Sequence, residues 1–76
     1  MTLAFVTTGS GPVRLAVHDL AGRELRRLAD GPLPAARHAR DWDLRDPEGR
    51  AVPSGVYLAV LEDAGRRTVR RLVVIR

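Results

Sequence analysis

The chain has no cysteine and no lysine, and its only aromatic residues are Phe5, Trp42 and Tyr57. Without cysteine there is neither a disulfide framework nor a thiolate metal site, and redox chemistry says nothing about the compartment. The longest apolar run, Val56 to Leu61, is far short of the roughly 20 residues that a membrane-spanning helix needs. The first residues lack the positive n-region and long apolar h-region of a signal peptide. The chain is therefore expected not to direct its own export, and to be the end piece of a longer protein.

What is present is short. At 76 residues the chain makes a single domain, residues 1–76, and a chain this small hides only about 60% of the surface its unfolded form exposes. A deep substrate cleft is not expected. Thirteen arginines against nine acids give a net charge of +4, which favours polyanions or an acidic partner surface. The complete replacement of Lys by Arg has a simpler source in codons rich in G and C, although Arg also offers a bidentate fork that Lys lacks.

The hydropathy pattern has the period of strands. Residues 2 to 8 put Leu3, Phe5 and Thr7 on one side, and Gly9 to Pro12 then break the chain. In residues 13 to 18, Val13, Leu15 and Val17 alternate with Arg14, Ala16 and His18, the pattern of a half-buried strand. Gly22 supplies a reversal, and Leu25 and Leu28 follow. Their spacing of three suits a short helix or a bulged strand; two turns between Gly22 and Gly31 are marginal for a helix, which favours the hairpin strand. Gly31, Pro32 and Pro34 predict a loop over residues 29 to 36.

Residues 37 to 44 alternate again, with His38, Arg40, Trp42 and Leu44 on one face. Trp42 is the large anchor, so its face is the core side. Asp46, Pro47 and Gly49 make a turn: Pro presets φ, Asp accepts from backbone donors, and Gly tolerates a left-handed backbone. Pro53, Ser54 and Gly55 lead into residues 56 to 62, read as a central strand buried on both faces. Gly65 turns the chain into a last strand that runs to the C-terminus. Turn signals about every ten residues between short strands predict an all-β sandwich or barrel. The expected core is Phe5, Val13, Leu15, Val17, Leu25, Leu28, Trp42, Val56, Leu58, Val60, Leu72 and Val74.

Three linked motifs carry a resemblance. Asp19, Gly22 and Arg23 form an Asp-x-x-Gly-Arg hairpin; His38 precedes the pair Trp42 and Asp43; and Asp46 and Gly49 lead to Pro53, Ser54, Gly55 and Tyr57. Over residues 2 to 76 this pattern resembles the immunoglobulin-like domain of the flagellar hook-capping protein family, and the C-terminal sorting domains of type IX secretion cargo. The resemblance implies an immunoglobulin-like (fibronectin III-like) antiparallel β-sandwich of six or seven strands. It also implies a noncatalytic C-terminal module of a bacterial secreted or cell-surface protein, acting in export sorting, anchoring or assembly. Its partners would be proteins: a neighbouring domain of the parent chain, or secretion or assembly machinery. Family members commonly carry Gly where this chain has Ala36 and Leu44. A positive φ at Leu44 would store about 1 to 2 kcal/mol of strain.

Reactive chemistry finds little support beside this. Asp41, Asp43, Asp46 and Glu48 offer oxygens for Ca²⁺, but Arg45 occupies the third position that an EF-hand loop gives to a ligand, and neighbouring arginines compete for the carboxylates. His18 and His38 are too few for a zinc site without a cysteine. Ser54 lacks the Gly-x-Ser-x-Gly elbow of a hydrolase nucleophile. No enzyme activity and no cofactor are expected. The competing class is a small Arg-rich β-domain that binds nucleic acid or another polyanion through Arg14, Arg26, Arg37, Arg66, Arg67, Arg70 and Arg71. With the aromatics committed to packing, it would have no stacking platform.

Overall fold

The computed structural model describes all residues, 1 to 76, as six strands: β1 (Thr2–Val6), β2 (Pro12–His18), β3 (Glu24–Pro32), β4 (Arg37–Asp41), β5 (Gly55–Asp63) and β6 (Arg66–Val74). They form two antiparallel sheets, one of two strands in the order β1-β4 and one of four in the order β3-β2-β5-β6. The sheets face each other in a sandwich-like arrangement. The side chains between them come from alternate positions, as the strand period requires.

Val13, Leu15 and Val17 of β2 point into this interior and are buried. Opposite them in β5 stand Asp63, Leu61 and Ala59, so the inward set of β5 is Tyr57, Ala59, Leu61 and Asp63. This corrects the expected core: Val56, Leu58 and Val60 lie on the outer face of the sheet. Val60 is nevertheless buried, flanked in register by Ala16 on β2 and Val69 on β6. Val56 and Leu58 are half-buried. A one-residue change of register exchanges the two faces of a strand, and an apolar run such as Val56–Leu61 does not state its own register.

Strand β3 differs from expectation in length and in detail. It continues through Gly31 and Pro32, which pair with Val13 and Pro12, where a loop was expected. Pro32 can end an outer strand because β3 is a sheet edge, where a missing N–H costs nothing. The pairing shifts between Leu15 and Ala16 and again between Val17 and His18, leaving Leu28 and Leu25 without partners on β2. These are β-bulges. Two bulges three residues apart bring both leucines to the interior, which explains their helix-like spacing.

The interior divides into two clusters. One joins Val17, Leu25, Trp42, Val52, Tyr57 and Val74; the other joins Phe5, Val13, Leu15 and Ala29, with half-buried Leu28 packed against both. Each buried Val or Leu contributes about 1.5 to 3 kcal/mol relative to exposure. In the β5–β6 hairpin, Asp63 and Arg66 pair across the loop residues Ala64 and Gly65, whose φ values are +51° and +84°. Positive φ at both positions gives the type I′ geometry that suits strand twist.

Candidate functional site

Residues 42 to 57 carry a network of side-chain hydrogen bonds. Trp42 is 1% exposed and packs against Tyr57 in a T-shaped pair, with ring centroids 5.5 Å apart. Its indole N–H donates to the carbonyl of Arg45, 3.2 Å away, and the Tyr57 hydroxyl donates to the carbonyl of Pro53. Both amphipathic aromatics thus bury their rings and satisfy their polar ends.

Between them Asp46 organises the turn. Its Oδ1 accepts from the backbone N–H of Glu48 (3.0 Å) and of Arg50 (2.9 Å), while Gly49, at φ +83°, donates its N–H to the carbonyl of Asp46. The N–H of Arg50 is the main cause, opposed by partial desolvation and aided by the N–H of Glu48, that holds the Asp46 carboxyl below its ordinary value. Desolvation raises the Asp43 carboxyl, but the Arg26 guanidinium and the N–H of Arg45 outweigh it and leave that group lowered too.

The four calcium candidates are engaged separately. Asp41 accepts from the Thr2 hydroxyl at 2.6 Å, Asp43 from Arg26 at 2.7 Å, Glu48 from Arg23 at 2.8 Å, and Asp46 from its own turn. No three carboxyl or imidazole groups converge anywhere in the molecule. His18 and His38 lie in different sheets. The Nδ1 of His18 sits 3.1 Å from the carbonyl of Gly22, and the Nε2 of His38 lies 3.1 Å from the Thr7 hydroxyl and 3.0 Å from the Pro34 carbonyl.

The hairpin motif is equally occupied. The Asp19 carboxylate accepts the N–H of Arg23 at 2.9 Å, and Gly22, at φ +89°, donates to the Asp19 carbonyl. Arg23 then reaches Glu48, linking the first motif to the turn after Trp42. Ser54 accepts the N–H of Arg76 at 2.9 Å. Pro53 and Gly55 flank it and deliver the chain to β5.

Two participants went unnoticed in the sequence. Arg76 donates from Nε to the carbonyl of Val52 (2.6 Å) and from Nη2 to that of Leu44 (3.1 Å). Asp63, only 9% exposed, accepts from the N–H and the hydroxyl of Thr8, tying the end of β5 to the strand β1 side of the sandwich. Neither has a local signal, since each acts on residues more than twenty positions away. Arg40, half-buried as expected for the core face of β4, bonds only to the carbonyl of Ala39.

The proposed arginine stripe is split. Arg26 is paired with Asp43, and alternation along β6 sends Arg66 and Arg70 to the inner face and Arg67 and Arg71 to the outer. All three aromatic residues are buried, so none stands ready to stack on a base.

A cleft of about 560 Å³ opens between the sheets, with β1 along one side and Leu15, Ala59, Leu61, Thr68, Arg70 and Leu72 along the other. No family model, curated protein or solved structure matches the chain.

Proposed function

We propose that this domain is a noncatalytic, immunoglobulin-like interaction module belonging to a bacterial secreted or cell-surface protein, where it serves in export sorting, anchoring or assembly. The observation that carries this reading is the use made of the motif residues. Trp42, Asp46, Ser54 and Tyr57 are consumed in aromatic packing, in the turn and in holding Arg76. The residues that make the chain resemble hook-capping and secretion-sorting domains are therefore fold-making residues, and binding is left to sheet edges and exposed faces.

The test is localisation. Residues 1 to 76 are fused to the C-terminus of a periplasm-targeted reporter in a bacterium with a type IX pathway. The reading expects the reporter at the cell surface or in the medium; a reporter that stays in the periplasm counts against it.

Polyanion binding is the second reading, favoured by Arg14, Arg37, Arg66, Arg67, Arg70 and Arg71, whose side chains bond to no protein group. A single-stranded oligonucleotide titrated at two salt concentrations distinguishes it, because phosphate contacts weaken steeply with salt.

A further inference from the structure

The β1-β4 sheet is two strands wide and the sheet it faces four, so the sandwich lacks cover on one side. Strand β4 lies against β3, and β1 faces β5 and β6 across the cleft. The next strand position beyond β1 is vacant, and the floor beneath it consists of Ala59, Leu61, Thr68, Arg70 and Leu72.

The backbone of β1 is poised to receive a strand there. Met1 and Trp42 exchange both of their hydrogen bonds at 2.8 Å, and Thr7 donates to the carbonyl of Ala36 at 3.0 Å. Antiparallel pairing alternates bonded and non-bonded residues, so the odd-numbered residues bond to β4. Thr2, Ala4 and Val6 therefore aim their N–H and C=O groups away from β4, at the vacant position. Val6 is 68% exposed. An edge of this kind is a template for another chain unless charge, proline or a bulge blocks it, and β1 contains none of these.

The charge of the floor selects the occupant. Arg70 lies in the cleft with no hydrogen-bond or ion-pair partner, and Arg66, on the same face of β6 beyond Thr68, is also unpaired. A second copy of this chain would bring another +4 and a β1 segment, Thr2–Val6, with no acidic residue.

We infer that β1 and the cleft bind an extended segment of a partner protein by strand addition. Its inward side chains would alternate as apolar residues over Leu61 and Leu72 and an acidic residue at Arg70. Backbone bonds at Thr2, Ala4 and Val6 supply the attachment, and the pockets along the floor supply the choice of side chain. The inference rests on the reading of the domain as an interaction module and names the chemistry of its partner.

The test uses the whole 76-residue chain and a capped heptapeptide, Thr-Val-Thr-Glu-Thr-Val-Thr, with a second peptide carrying Lys in place of Glu. Amide and methyl NMR shifts follow the titration. The Glu peptide is expected to bind with a Kd below about 1 mM, shifting Thr2, Ala4, Val6, Leu61 and Leu72. Ala4→Pro removes one free-edge N–H that β4 does not use, and is expected to weaken binding at least about tenfold. Arg70→Glu, a change at an exposed position, is expected to weaken the Glu peptide similarly and to favour the Lys peptide.

Three outcomes overturn the inference: no binding up to about 1 mM, binding indifferent to both variants, or a peptide-free dimer that protects β1. Failure of the reporter fusion with retained peptide binding removes the export role and leaves strand addition standing. The reverse result removes strand addition alone.

Discussion

Arg76 donates a hydrogen bond to the carbonyl of Leu44, a residue held at φ +60°. The same carbonyl accepts the N–H of Val52 at 2.9 Å. Leu44 is thus in the left-handed region that costs a non-glycine residue about 1 to 2 kcal/mol, and its position is fixed by two donors and by packing against the Trp42 cluster. Strained backbone persists where its surroundings over-determine it. The final side chain of the chain supplies part of that determination.

Arg76→Lys tests this role. A lysine ammonium cannot span the carbonyls of Val52 and Leu44 as the planar guanidinium does. The variant is expected to lose about 1 to 2 kcal/mol of stability, read as a lower urea midpoint with an unchanged slope. An unchanged midpoint would show that the fork contributes nothing to the turn.

Trp42→Ala is expected to cost about 3 to 5 kcal/mol, a large share of the stability of a small domain. Circular dichroism should then show loss of the cooperative melt near room temperature. A variant that melts as the parent does would remove Trp42 from its place as core anchor.

Acid should weaken the fold through Asp46 and Asp43. Both carboxyls are held below their ordinary values in the folded chain. A depressed carboxyl stabilises the fold above its unfolded value of about 3.9, and that contribution is lost as pH falls through the folded value. The melting temperature is therefore expected to fall as pH is lowered below about 4. Asp46→Asn should be less stable than the parent at neutral pH, with the gap narrowing as acid protonates the parent. A constant gap across the range would exclude Asp46 ionisation as the cause.

Much of the architecture was legible because period and turn chemistry act locally. The alternation of Val13, Leu15 and Val17, the single bulky anchor Trp42, and the Asp46–Gly49 turn all specify their own conformations. The left-handed backbone of Leu44 was open in the sequence, where a positive φ was only a condition, and the structure places it at φ +60°. What stayed hidden depends on distant partners. The inward set of β5 is fixed by its pairing with β2, not by the apolar run Val56–Leu61. The β3 bulges at Leu25 and Leu28 and the bonds of Arg76 and Asp63 likewise arise only when remote segments meet. The cleft beside β1 could not be read at all, because it follows from the number of strands in each sheet.

Strand β1 presents an open edge over that cleft, and amide hydrogen exchange of the free domain tests this residue by residue. The amides of Leu3, Phe5 and Thr7, bonded to β4, should be protected, while those of Thr2, Ala4 and Val6 exchange at least about tenfold faster. Equal protection of both sets would mean that the edge is already covered and that β1 is closed to strand addition.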